Sequence, residues 1–142
     1  LVHAQRVIAA TAFAECIDDA ALDQPRSTRT TPSARLSSGA SFVFRVEPAR
    51  TWRLEKTTLL LHIASGGPPS SVEFVSGNAV DVENKGEGWI AVVVPSEVAR
   101  KLVTEPGSRL TVRSPKSAAS IHLRESPAFA PYLIIEGAAA PH

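Results

Sequence analysis

The chain has 142 residues, with 15 Lys and Arg against 14 Asp and Glu, and it contains one cysteine. This length fits a single domain with its own core, and a near-neutral charge without a block of one sign argues against nucleic acid as a partner. The longest strongly apolar runs, residues 7–14 and 90–94, are far shorter than the roughly 20 residues that span a bilayer, so no membrane span is expected.

Residues 1–5 begin a chain that contains no methionine, so Leu1 is not a translational start. These residues are either the end of a signal peptide or already part of the mature protein. We therefore expect a secreted protein that works outside the cell or at its surface. The lone Cys16 cannot form an internal disulfide. We expect it to be buried in its apolar run, the alternative being a bond between chains.

Alternation of apolar residues with a period of two recurs along the chain and predicts β-strands. The first strand is predicted within residues 7–17, and residues 23–33, rich in Pro, Ser, Thr and Arg, are predicted to form a long surface loop. Further strands are expected at 42–46, 59–63, 72–74, 89–94, 110–112, 121–123 and 133–135. Residues 89–94 are apolar on both faces and are predicted to form a central strand.

A helical pattern occurs at residues 95–104, where Ser96 can cap a short helix and Arg100 suits its negative end. The many short strands between Gly- and Pro-rich turns predict an all-β fold, an antiparallel β-sandwich of jelly-roll-like form, with the helix over one open end. The sandwich is expected to span residues 11–137, with an N-terminal extension at 1–10 and a frayed tail at 138–142.

Four segments in chain order carry a family resemblance. They are residues 42–46 (FVFRV), 56–61 (KTTLLL), 89–94 (WIAVVV) and 124–135, which contains RE and APYLII. This order resembles the DNRLRE-type domains, secreted β-sandwich modules similar in fold to the TGF-β propeptide jelly roll. The resemblance implies a non-catalytic module of an extracellular or cell-surface protein, and some members are thought to bind carbohydrate. Val93 and Pro95 depart from the family pattern, which puts a family calcium or polar site there in doubt.

The sequence contains no recognisable catalytic or metal-binding pattern, so neither an enzyme nor a cofactor is expected. His62 and His122 fall on the polar faces of their strands and are predicted to be solvated. Asp18 and Asp19 are weak candidates for calcium ligands, and the alternative is a solvated loop entrance.

The aromatic residues separate core from candidate binding positions. Trp52 lies in a connection between Arg50 and Arg53, where its indole could stack on a sugar ring or plug one end of the sandwich. The aromatic residues predicted to face the core are Phe42, Phe44, Phe74 and Trp89.

The function that the sequence favours is a non-catalytic structural subunit that self-assembles outside the cell, in a filament, coat or surface layer. Residues 7–14 are apolar on both alternating faces and carry no charge before Glu15, so we expect this segment to be covered. The predicted cover is a neighbouring copy of the chain, to whose sheet residues 2–14 add a strand in a head-to-tail contact. The predicted interface residues are Val2, Val7, Ile8, Ala9, Ala10, Thr11 and Phe13. From Thr11 onward, the alternative is that the run is the domain's own first strand. The alternative function is a carbohydrate-binding module with an extracellular polysaccharide as partner.

Overall fold

The structure is a computed structural model, and it describes residues 8–22, 33–74, 79–105 and 107–139. Within these residues the chain is mostly β, with one α-helix, as the sequence predicts. The elements are β1 (Ile8–Ala21), β2 (Ser33–Arg35), β3 (Ala40–Phe44), β4 (Arg53–Ser65), β5 (Ser71–Phe74), β6 (Ala79–Gly86), β7 (Trp89–Val93), α1 (Ser96–Thr104), β8 (Leu110–Arg113), β9 (Ser120–His122) and β10 (Tyr132–Ala139). Two short 3₁₀ helices, Glu47–Ala49 and Pro127–Phe129, lie in the connections.

Eight of these strands pair in a closed ring, in the order β10, β1, β3, β8, β5, β6, β7 and β4. The ring closes because β10 pairs with β1 on one side and with β4 on the other, so that Tyr132 lies opposite both Glu15 and Leu60. The short strands β9 and β2 extend the sheet from the far end of β4. The predicted jelly-roll-like β-sandwich is therefore wrong, since a sandwich consists of two separate sheets, whereas this ladder is continuous and forms an antiparallel β-barrel.

The barrel interior is filled by every second side chain of its strands. Leu59 and Leu61 of β4 are fully buried, as are Ile90 and Val92 of β7. The helix α1 begins one residue after Pro95 and packs on the same core, as expected of a helical cover. Its core residues are Ala99, Leu102 and Val103.

The backbones of β10 and β4 come close together near the start of β4. A Cβ atom at Gly137 would lie 2.5 Å from the carbonyl oxygen of Arg53, a distance that real Cβ atoms do not reach. The register between β10 and β4 also shifts between Glu136 and Gly137. Glycine is therefore required at this point of the seam that closes the ring.

No helix among the described residues is long and apolar enough to cross a bilayer. Strand β10 extends to Ala139 and β1 begins at Ile8, so the sheet includes residues from both segments that flank the predicted 11–137 domain.

Candidate functional site

Within the described residues, the N-terminal half of β1 pairs with a strand on one side only. Residues 8–15 pair with β10, whereas β3 pairs with β1 only from Cys16 onward. A register shift between Cys16 and Asp18 marks the change of partner. On the side away from β10, the described residues form one backbone hydrogen bond with residues 8–15. The N–H of Arg45 donates to the carbonyl oxygen of Glu15 at 2.9 Å. Residues 8–14 are therefore an edge strand, and we call their side away from β10 the open edge.

The direction of the backbone groups on the open edge follows from this one hydrogen bond. The carbonyl of Glu15 points away from β10, and the backbone groups of successive strand residues point alternately to the two sides. The N–H and C=O groups of Ala9, Thr11 and Phe13 consequently point to the open edge. Their side chains are exposed, and Phe13 is 71% exposed.

Devices that normally blunt an edge strand are missing from residues 8–14. Their sequence, IAATAFA, contains no charged residue, no proline and no glycine. Three side chains that face inward are alanines: Ala10 and Ala12 are half-buried and Ala14 is buried. The open edge is thus compatible with pairing to another strand.

Phe13 is also the first member of a row of rings on the outer face of the barrel. We call this row the aromatic strip, and it consists of Phe13, Tyr132, Trp89, His62, Phe129 and His122. Ring centroids are 6.4 Å apart between Phe13 and Tyr132, and 5.5 Å apart between Tyr132 and Trp89. Beyond Trp89, the ring of His62 lies at 5.0 Å, and His62 in turn stacks on Phe129 at 4.0 Å. His122 stacks on the same Phe129 ring at 5.0 Å.

Sheet register brings these rings to one face. Because Leu61 of β4 points into the core, His62 points outward, and Trp89 lies directly opposite His62 in the β4–β7 ladder. Directly opposite residues share a face of the sheet. The prediction that Trp89 faces the core is therefore wrong, since it is half-buried on the outside while its neighbour Ile90 points inward.

His62 has hydrogen-bond partners at both ring nitrogens. Its Nε2 lies 2.9 Å from the backbone carbonyl oxygen of Glu87, and its Nδ1 lies 2.9 Å from Nδ1 of His122. A carbonyl can only accept, so Nε2 of His62 donates to Glu87, while in the contact between the two Nδ1 atoms one ring donates and the other accepts. His62 is only 9% exposed, so the predicted solvated position is wrong for this residue.

His122 is half-buried beside His62, and its pKa is lowered from the ordinary value. The main cause is burial, which disfavours the charged ring, and the neighbouring His62 adds to it. Protonation of both rings would place two N–H groups face to face at Nδ1, so the hydrogen bond between them requires that at least one ring is neutral.

The predicted interface residues are only partly within the described structure. Val2 and Val7 lie outside the described residues. Residues 8–10, together with Thr11 and Phe13, pair with this chain's own β10, and Ala9 lies opposite Ala138. Donation of this segment to another copy remains a prediction.

The two calcium candidates have partners within the protein. Asp18 forms an ion pair with Arg109, and a carboxylate oxygen of Asp19 accepts the backbone N–H of Arg124 at 2.7 Å. Burial raises the pKa of Asp19. In the part of the chain that the structure describes, no three His, Cys, Asp or Glu side chains are grouped so that they could hold a metal ion.

Trp52 and Cys16 both contact the core. Trp52 is half-buried and packs against the core cluster, which matches the plug that was one of its two predicted roles. Cys16 is buried, as predicted, and its thiol donates to the carbonyl oxygen of Asp18 at 3.2 Å. Burial, assisted by the charge of Asp19, raises the pKa of the Cys16 thiol to about 12, so this thiol is a poor nucleophile.

No protein-family model matches the sequence, and no curated protein shows significant similarity to it.

Proposed function

We propose that this chain is a non-catalytic structural subunit that works outside the cell by assembling with copies of itself through the N-terminal strand β1. The observation that carries the proposal is the open edge at residues 8–14, which pairs with no other strand of the described residues and carries no charge. Unpaired edge groups readily pair with another chain, and proteins that do not use them usually block them. The extracellular setting rests on the resemblance to the DNRLRE-type domains.

Mass in solution tests this proposal directly. The expected result of sedimentation velocity is a species heavier than the 15.1 kDa monomer, with a proportion that increases with protein concentration by mass action. A chain that stays monomeric up to about 100 µM would contradict the proposal, since assembly that weak would contribute little even at high local concentration.

A second candidate is a carbohydrate-binding module, and the aromatic strip favours it. Phe129 stacks on His62 with one face and is 39% exposed, so its other face is open to a ligand. Flat apolar rings with polar groups at their edges are suited to the apolar faces of sugar rings. This position differs from the predicted Trp52, whose ring packs against the core.

Glycan binding can be tested with two matched variants. If the aromatic strip binds polysaccharide, Phe129→Ala should weaken the affinity by tenfold or more, about 1.4 kcal/mol, while Trp52→Ala should leave it unchanged. Isothermal titration with soluble polysaccharides measures both affinities. If Trp52→Ala weakens the affinity and Phe129→Ala does not, the glycan site lies at Trp52. If the wild-type chain does not bind, carbohydrate binding is excluded for the glycans tested.

A further inference from the structure

We infer that the open edge of β1 pairs with the same edge of a second copy, antiparallel and about a twofold axis at Thr11. This inference rests on the proposed self-assembly and identifies its partner surface. It replaces donation of a strand by pairing of two strands that each remain in their own barrel, because residues 8–15 already pair with the chain's own β10.

The backbone of the open edge fits this arrangement. Outward-pointing groups at Ala9, Thr11 and Phe13 are spaced by two residues, which is the repeat of hydrogen-bonded pairs in an antiparallel ladder. With the axis at Thr11, the two copies of Thr11 face each other and Ala9 of each copy faces Phe13 of the other. Three such pairs supply about six hydrogen bonds.

Side chains agree with this register. Phe13, the largest side chain of the segment, lies opposite Ala9, one of the smallest, and both lie on the exposed face. Directly opposite residues lie within contact distance, so each Phe13 ring would pack over the small Ala9 of the partner copy. No charged side chain lies within residues 8–14, so the twofold axis brings no like charges together.

The length of the paired segment is set by Arg45. The backbone N–H of Arg45 donates to the carbonyl oxygen of Glu15, and the Arg45 side chain forms an ion pair with Glu15 at 3.2 Å. These two contacts end the open edge at Ala14. Because a twofold contact uses the same surface on both copies, it closes after two chains. The inferred unit is therefore a dimer with one sheet continuous through both barrels, in contrast to the head-to-tail fibre that strand donation would produce.

Proline at position 11 tests the hydrogen bonding. Thr11→Pro removes an N–H that points to the open edge and leaves intact the bonds to β10, which come from the even-numbered residues. We expect this variant to dimerise at least about tenfold more weakly than the wild type, whereas the control Thr11→Val, which keeps the N–H, dimerises normally. Far-UV circular dichroism and the thermal midpoint verify that both variants fold.

Cysteine cross-linking tests the register independently of proline. Thr11 and its symmetry mate would have Cα atoms about 5.5 Å apart, within reach of a disulfide, so Thr11→Cys should form a covalent dimer under mild oxidation. Ala9→Cys is the matched control, because its two copies would lie about 13 Å apart, four residues out of register. Native Cys16 is buried and present in both variants, so it does not affect the comparison.

A double variant separates edge pairing from strand donation. Thr11 lies opposite Glu136 of β10, so cysteines at both positions should form a disulfide within one chain if β1 stays in its own barrel. A disulfide that joins position 11 of one chain to position 136 of another chain would mean that β1 is donated, and it would overturn the inference, whereas a link between the two copies of position 11 is the edge contact itself.

The outcomes separate failure of the proposed self-assembly from failure of the inferred edge contact. A wild-type chain that stays monomeric contradicts both the proposed function and this inference. Assembly that persists in Thr11→Pro, with no cross-link through Thr11→Cys, leaves the proposed function standing and overturns the inferred edge contact.

Discussion

His62 depends on a glycine in the turn between β6 and β7. A Cβ atom at Gly88 would lie 2.7 Å from Nε2 of His62, the nitrogen that donates to Glu87, and the backbone there has a φ of +86°. Gly86, the last residue of β6, has a similar φ of +90° but nothing within 4 Å of its Cβ position. Alanine strains the backbone at either position, and at Gly88 it also displaces the imidazole.

We therefore expect Gly88→Ala to lower the free energy of unfolding by about 1 kcal/mol more than Gly86→Ala does, which is the worth of the displaced hydrogen bond. Urea denaturation of the two variants measures the difference. Equal losses would show that His62 adapts without cost and that its bond to Glu87 contributes little to stability.

His122 makes stability depend on pH. Its pKa in the folded chain lies below the ordinary value of 6.5, so the unfolded chain binds this proton more readily than the folded chain does. Above pH 6.5 neither state is protonated and the stabilising effect of the neutral ring is complete. As the pH falls below 6.5, the unfolded state gains the proton first and the free energy of unfolding decreases, until the folded-state pKa is passed.

The matched variant is His122→Phe, which keeps a ring against Phe129 but cannot titrate. Its curve of unfolding free energy against pH should lack the part of the decrease that His122 causes, although the lost hydrogen bond to His62 lowers the whole curve. Two parallel curves between pH 7 and pH 5 would contradict this assignment.

At the level of single elements, the sequence predicts most of the strands and the helix, because alternation and helical periodicity are local signals. The predicted cap at Ser96 is wrong, since Pro95 occupies the N-cap position and Ser96 is the first helical residue. Alternation does not identify the inward face of a strand when both faces are apolar. In β7, residues 89–93 are apolar on both faces, so alternation alone cannot decide between Trp89 and Ile90. The pairing of Trp89 with His62 decides it, and that pairing joins strands almost thirty residues apart.

Strand β1 shows the same limit. Its apolar, uncharged character predicts a segment that must be covered, and the structure covers one side of residues 8–15 with β10. The partner could not be predicted, since Ile8 lies opposite Ala139 at the other end of the chain, in a segment without a hydrophobic period. The open edge follows only from knowing where β3 ends, at Phe44 opposite Cys16.

For the whole molecule, a sandwich and a barrel have the same strand pattern, with one buried and one exposed face per strand. The difference lies in whether the two outermost strands pair. Here β10 pairs with both β1 and β4, and no local signal marks a strand that has two such partners. The aromatic strip depends on this closure, because Tyr132 of β10 lies between Phe13 of β1 and Trp89 of β7.

Gly137 lies at the seam between β10 and β4 that closes the barrel. Gly137→Ala would place a Cβ atom against the carbonyl of Arg53, and since this is backbone rather than a flexible side chain, β10 and β4 must separate to admit it. We expect a loss of about 1–3 kcal/mol in the free energy of unfolding, the usual cost of overpacking, with faster amide hydrogen exchange at residues 53–56 and 136–139. The control is Gly67→Ala, which meets nothing within 4 Å. If exchange at the seam stays as slow in Gly137→Ala as in Gly67→Ala, contact between β10 and β4 does not hold the ring closed.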